Sequence, residues 1–190
     1  MKKSIALVMM AVLLVAASVM GTLAYLTSTD AVENTFTVGK VAITLDEADV
    51  DVYGAPIENA ARVRANEYKL IPGHAYTKDP TVHFAAGSEA SWLFVKVENG
   101  IAAIEADTTI ADQITTNGWD ALIGVTGVYY KQVDANTGAA AIDYPVFETF
   151  KLDGEADVSN YEKAAVKVTA YAIQADGFTS AAAAWTEVSK

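Results

Sequence analysis

The sequence predicts an all-β protein, an antiparallel β-sandwich of jelly-roll type with one or two short helices. The first observation behind this prediction is a series of short segments in which apolar and polar residues alternate, as they do in half-buried strands. The second is the set of turn-forming dipeptides between these segments. They are Pro72-Gly73, Asn99-Gly100, Asn117-Gly118, Asp153-Gly154 and Asp176-Gly177. The third is the small number of helix signals.

The first 24 residues have the pattern of a secretory signal peptide. Two lysines follow the initial methionine, and residues 4–26 contain no charged side chain. A retained membrane anchor is the alternative, because about 20 apolar residues can span a bilayer. Small residues up to Ala24, without a later cluster of Lys or Arg, favour cleavage between Ala24 and Tyr25. We therefore expect a secreted protein that meets the membrane only before cleavage.

The first strand pattern contains a slip of one residue. Apolar residues occupy even positions up to Val38 and odd positions from Val41 to Leu45. The slip falls at Gly39 and Lys40, where the chain must break, bend or bulge.

Further strands are predicted at residues 81–85, 92–98, 127–133, 144–152 and 165–174. In the last of these, Val166 and Val168 point one way and Lys167 and Thr169 the other. Two short helices are predicted at residues 109–114 and 180–188. The first is capped by Thr108 or Thr109 and the second by Ser180.

The composition excludes several classes of partner. The formal net charge is −11, and it becomes −13 without residues 1–24, which carry two lysines and no acidic residue. Such a surface repels nucleic acids and anionic lipid head groups. The sequence contains no cysteine, which excludes disulfides, thiolate zinc sites and a cysteine nucleophile.

No arrangement of residues indicates an enzyme or a cofactor. The two histidines, His74 and His83, lack the H-E-x-x-H spacing of a zinc hydrolase, and each is expected to be solvent-facing or hydrogen-bonded. Asp46, Asp49 and Asp51 form an acidic stretch that could attract calcium. Its fit to a calcium loop is poor, so a solvated loop is preferred and no metal is expected.

Aromatic residues leave a sugar-binding role open. Trp119 follows a turn and is the best candidate for a stacking platform, with Tyr129 and Tyr130 nearby in sequence. Trp92 and Trp185 lie in a predicted strand and helix, where core packing is expected.

Four segments of the chain resemble one family of secreted proteins. GTLAYLTSTD at residues 21–30, followed by NTFTVGKV at 34–41, resembles the start of proteins of Gram-positive bacteria that require the signal peptidase SipW. EYKLIPGHAYTKDP at 67–80, LFVKVEN at 93–99 and AYAIQADGF at 170–178 are similar to later segments of the same group. The group is the TasA and camelysin (CalY) family, whose members form fibres of the biofilm matrix.

The resemblance implies a jelly-roll domain at residues 39–190 and a mature amino-terminal segment at residues 25–38. It also implies that this segment leaves its own domain and completes the sheet of the next subunit. Gly39 and Lys40 would form the hinge. The donated strand would include Tyr25, Leu26, Val32 and Phe36.

The partners implied are further copies of the chain, a SipW-like signal peptidase and a possible fibre accessory protein. The leading hypothesis is therefore a structural fibre subunit. A monomeric binding module at the cell surface is the alternative. A secreted metallopeptidase, as the camelysin branch has been labelled, is less favoured because no zinc motif is found.

Overall fold

The computed structural model describes residues 39–190, which contain nine β-strands and two α-helices. The strands are β1 (Ile43–Asp46), β2 (Ala75–Thr77), β3 (Thr81–Phe84), β4 (Ser91–Asn99), β5 (Asp120–Ala121), β6 (Val128–Val133), β7 (Ile142–Pro145), β8 (Thr149–Lys151) and β9 (Val166–Gln174). The helices are α1 (Ile110–Thr116) and α2 (Ala181–Val188). Ala102–Ile104 and Val158–Asn160 form short 3-10 turns.

The described strands form three antiparallel sheets. One has three strands in the order β1-β3-β7, one has four in the order β5-β6-β4-β9, and β2 pairs with β8 alone. Strand β4 is central to the larger sheet and pairs with β9 over nine residues. The prediction of an all-β protein with antiparallel sheets and short helices is confirmed.

Strand β4 is buried on both faces and divides the core into two parts. Leu93 and Val95 face the main hydrophobic cluster, which includes Phe84 of β3. Trp92 and Phe94 point to the opposite face and form a second cluster. This alternation is the direct result of strand geometry, in which successive side chains lie on opposite faces.

Helix α2 covers the second cluster. Ser180 caps it, as predicted, because its hydroxyl accepts a hydrogen bond from the backbone N–H of Ala183. Trp185 packs against Phe94 and Tyr171, with ring centroids 5.3 and 5.2 Å apart. The part of the chain that the structure describes holds no helix with the length and apolar character needed to cross a bilayer.

The predicted strand at residues 144–152 is in fact two strands. Val146 and Phe147 are adjacent and both fully buried, so the alternation of a half-exposed strand is lost between them. The chain leaves β7, which pairs with β3, and enters β8, which pairs with β2. Strands β2 and β5 were not predicted, and both are very short.

Candidate functional site

A groove runs along one side of the described unit, between strands that end two different sheets. Strand β1 is the last strand of the three-stranded sheet and β9 is the last strand of the four-stranded sheet. Ile43 and Leu45 line the groove from β1, and Val166, Val168 and Ala170 line it from β9. This part of the groove has a volume of about 560 Å³.

Within residues 39–190, the outer edge of β9 has no partner strand. Strand β4 alone pairs with β9 there, and most of the β9 side chains remain partly exposed. An edge strand presents unpaired N–H and C=O groups and therefore offers a template for another strand. Proteins often keep unpaired edge strands short to avoid aggregation, so an edge strand of nine residues is unusually long.

The groove continues into a second hollow of about 740 Å³. Its lining is rich in aromatic and branched side chains, among them Tyr68, Leu70, Ile101, Phe150 and Tyr161. Asn66, Lys78, Ala165 and Val166 line both hollows, so the two are continuous. The groove therefore has two stretches, each lined by both apolar and polar side chains, that meet at these shared residues.

An ion pair lies where the two stretches meet. The ammonium of Lys78 contacts the carboxylate of Glu47 at 2.5 Å, and their side chains are only 10% and 6% exposed. Asn66 donates from Nδ2 to Glu47 Oε1 at 2.9 Å and to the carbonyl of Ala48 at 2.8 Å. The ammonium also lies 5.8 Å from the centre of the Tyr68 ring. The groove thus carries a nearly buried, hydrogen-bonded polar cluster at this point.

The segment at residues 67–80, one of those that carry the family resemblance, contributes to this polar cluster. Its Lys78 binds Glu47, and the carboxylate of the next residue, Asp79, accepts a hydrogen bond from the Ala48 N–H at 2.6 Å. Arg62 then donates to the other oxygen of Asp79 at 2.8 Å. The lysine and aspartate of the motif therefore fasten the chain after β2 to the end of β1.

A second polar cluster lies on the outer face of the three-stranded sheet. The imidazole of His83 lies between two carboxylates, with Nε2 2.9 Å from Asp46 and Nδ1 2.6 Å from Asp143. Burial alone would lower the pKa of His83, but the hydrogen bonds to Asp46 and Asp143 outweigh it and raise the pKa. Burial opposes ionisation of Asp46 too, yet hydrogen bonds from His83 and Arg62 keep its pKa below the usual value.

Both histidines are hydrogen-bonded, as the sequence predicted. His83 faces away from the core, as the alternation with Val82 and Phe84 indicated. His74 bonds through Nε2 to the carbonyl of Tyr53 at 2.9 Å. The two imidazoles take part in separate structural contacts.

The three calcium candidates do not come together at one site. Asp46 contacts Arg62 and His83, whereas Asp51 accepts hydrogen bonds from the N–H groups of two residues in its own turn. The backbone carbonyl of Asp49 accepts a bond from the Ile57 N–H. Residues 39–190 contain no group of three or more acidic, histidine or cysteine side chains arranged to hold a metal ion.

The prediction that Trp119 is a surface platform is wrong. Its ring is fully buried, and its indole N–H donates to the carbonyl of Pro145 at 2.9 Å. Tyr129 packs against the main cluster and Tyr130 against the second one, so they face opposite sides of the sheet. The three aromatic residues therefore share no surface on which a sugar could stack.

The residues predicted for cleavage and strand donation lie outside the described residues: Ala24, Tyr25, Leu26, Val32 and Phe36. The predicted hinge is the start of the described chain. Gly39 and Lys40 are exposed, and the carbonyl of Lys40 accepts a hydrogen bond from the Glu89 N–H at 2.9 Å. The two residues proposed as a hinge thus lie a few residues before β1.

Comparison of the chain with protein-family models, with curated proteins and with solved structures finds no significant match.

Proposed function

We propose that this protein is a secreted structural subunit of extracellular-matrix or cell-surface fibres. In the proposed fibre, residues 25–38 of one copy bind as a strand in the groove of the next copy. The open groove between β1 and β9 is the observation that carries this proposal. Among the described residues it combines a long strand edge that has no second partner strand with a lining that includes apolar side chains from β1 and β9. An open edge supplies main-chain hydrogen bonds for strand addition, and side-chain pockets supply its specificity.

The length of the amino-terminal segment fits the groove. Residues 25–38 are fourteen residues long, and an extended strand rises about 3.3 Å per residue, which gives a reach of roughly 45 Å. Strand β9 has nine residues and is about 30 Å long by the same measure. The segment can therefore follow the whole edge and leave residues to join the two subunits.

The sequence of the segment also fits. Leu26, Val32 and Phe36 share one parity, so an extended chain presents them on one face toward the groove. The segment has two acidic residues and no basic one, and the first hollow is lined by basic and acidic side chains together: Arg64, Lys78 and Lys167 with Asp46 and Glu47. Apolar contacts would therefore provide the affinity.

We further propose that the described domain is of jelly-roll type. Successive strands change sheet: β3 lies in the three-stranded sheet, β4 and β6 in the larger sheet, β7 in the first again and β9 in the larger one. Such alternation is typical of sandwiches built from Greek keys. The added strand from a neighbour would then fill the open side between β1 and β9.

The proposed subunit needs no cofactor and performs no catalysis. Its proposed partners are further copies of itself, a SipW-like peptidase that removes residues 1–24, and an accessory protein that starts or anchors the fibre. Its acidic surface is not suited to nucleic acid, and it meets the membrane only before cleavage.

The test compares purified residues 25–190 with residues 36–190 by electron microscopy and size-exclusion chromatography. Fibres are expected from the longer chain alone, because the shorter one lacks most of the donated strand. A chain with residues 25–35 in scrambled order is the matched control for length, and circular dichroism checks that all three fold. Fibres from the shorter chain would refute the proposal, and monomers from both would favour a monomeric surface binding module.

A further inference from the structure

The Glu47–Lys78 pair is unusual because it is the nearly buried ion pair at the point where the two hollows of the groove meet. Apolar side chains line the groove on both sides of the pair, from β1 and β9 on one side and around Phe150 on the other. An ion pair so nearly buried loses most of its hydration. A chain that enters the groove must therefore form hydrogen bonds with this pair, or it removes the remaining water without replacing its hydrogen bonds.

The pair has hydrogen-bonding capacity to spare. A lysine ammonium has three donors, and in the part of the chain that the structure describes only Glu47 accepts one of them. The carboxylate of Glu47 receives one bond from Lys78 and one from Asn66, which leaves lone pairs free. An occupant that both donates and accepts would complete the cluster.

The amino-terminal segment offers one residue of this kind in a matching setting. On the face that carries its apolar residues, the order is Leu26, Ser28, Asp30, Val32, Asn34 and Phe36. Asn34 is the single polar residue there with an apolar neighbour on either side, Val32 and Phe36. In the groove, too, apolar side chains lie on either side of the ion pair, among them Leu45 and Val168 in one hollow and Leu70 and Phe150 in the other.

We propose that the Glu47–Lys78 pair recognises Asn34 of a second copy and thereby fixes the register of the donated strand. The proposal rests on the proposed function, because it names the contact that makes strand addition specific. The carboxamide oxygen of Asn34 accepts from the Lys78 ammonium, and its NH₂ donates to the Glu47 carboxylate.

This contact excludes the wrong registers. A shift of two residues keeps the same face toward the groove but brings Val32 or Phe36 onto the ion pair. The buried charges would then lose water and gain no partner, which is costly. The polar cluster therefore acts mainly against incorrect pairing, as single buried polar residues do in other assemblies.

The experiment measures the critical concentration for assembly of residues 25–190 by sedimentation, in the unaltered chain and in Asn34→Leu. If only apolar burial mattered, leucine would strengthen assembly. We expect instead that the critical concentration rises about tenfold, which corresponds to about 1.4 kcal/mol. Thr35→Leu is the matched control, because residue 35 lies on the opposite face of the strand, and it should change the value less than about threefold.

A second arm removes the ion pair from the groove by Glu47→Leu with Lys78→Met. A buried ion pair can often be replaced by apolar residues of similar volume without loss of the fold. In the Glu47→Leu, Lys78→Met background, Asn34→Leu should strengthen assembly, because the leucine then meets apolar side chains instead of the ion pair. If circular dichroism shows that the double variant does not fold, the comparison of Asn34→Leu with Thr35→Leu decides the matter alone.

The outcomes separate this inference from the function on which it rests. If the unaltered chain forms no fibres, the proposed function and the inference are both overturned. If it forms fibres and Asn34→Leu assembles as well as the unaltered chain, the inference alone is overturned. An equal loss in both groove backgrounds would also overturn it, because the effect would then not depend on Glu47 and Lys78.

Discussion

His83 makes the stability of the described unit depend on pH. Its imidazole lies between the carboxylates of Asp46 and Asp143, and Asp46 is also held by Arg62. Because these contacts raise the pKa of His83 above its ordinary value of 6.5, the charged imidazolium stabilises the folded state fully below about pH 6.5. That contribution is lost as the pH rises through the folded pKa.

We predict that His83→Gln destabilises the protein by about 1 kcal/mol at about pH 5.5 and by much less at about pH 8.5. Glutamine keeps hydrogen-bonding capacity but carries no charge, so the difference between the two pH values isolates the charge. Urea unfolding of both chains at each pH measures it. Asp46 sets the lower pH limit for this measurement. Because its pKa is lowered in the folded state, its contribution to folding stability is lost as the pH falls below about 4.

His74→Gln is the control for this measurement. His74 bonds a backbone carbonyl and no carboxylate, so its replacement should have a similar effect at both pH values. A His83→Gln effect that is also the same at both would show that the carboxylates of Asp46 and Asp143 do not stabilise a charged imidazole.

Individual residues show where sequence reasoning stops. Trp119 follows a turn dipeptide, which indicates a surface position, yet its ring enters the core between elements far away in sequence. Glu47 and Lys78 are 31 residues apart, and nothing in either local pattern predicts that they meet. The segment around Lys78 carries part of the family resemblance, but the role of Lys78 depends on tertiary contacts that the neighbouring residues in the sequence do not reveal.

At the level of elements, the helix starts are set by local chemistry. The hydroxyl of Thr109 accepts a bond from the backbone N–H of Asp112, and the Asp112 carboxylate accepts one from the backbone N–H of Thr109. This reciprocal cap satisfies two N–H groups that a helix start leaves without partners.

We therefore predict that Thr109→Ala lowers the free energy of unfolding by about 1 kcal/mol. Thr116→Ala is the matched control. Its hydroxyl also binds backbone, but at the carbonyl of Asp112 within the last turn, so the expected change is below about 0.5 kcal/mol. Denaturant unfolding of the three chains measures both effects, and equal losses would mean that the cap does not stabilise α1.

The difference between local and long-range signals explains which elements the sequence predicted. Both helices and strands β3, β4, β6 and β9 were predicted close to their bounds, because capping residues and alternation are local signals. Residues 144–152 were predicted as one strand, because nothing local shows that the chain changes sheet between β7 and β8. The resemblance implied a sheet that accepts a strand, but the position and lining of the groove were not predicted, since they depend on which strands from different sheets become edges.

At the level of the whole molecule, strand donation would be a heterologous contact. One copy would provide the segment before β1 and the next would provide the groove beside β9, so two different surfaces would meet. Such a contact leaves one free groove and one free segment at the two ends of the assembly, however many copies are added. Growth is therefore open-ended unless one of the two surfaces is removed.

We predict that two chains with complementary defects form a complex that does not grow further. Residues 36–190 lack the donated strand but keep the groove, whereas residues 25–190 with Ala165→Glu keep the strand but carry a blocked groove. Ala165 is exposed and lines both hollows, so glutamate there should leave the fold intact and repel the acidic segment. Neither chain alone should form fibres, and their mixture should give a one-to-one complex in size-exclusion chromatography with light scattering.

Gln174→Glu, at the far end of β9 and outside the groove lining, is the control and should still polymerise. Fibres from Ala165→Glu alone, or a mixture that stays monomeric, would mean that the strand from a neighbour does not bind between β1 and β9.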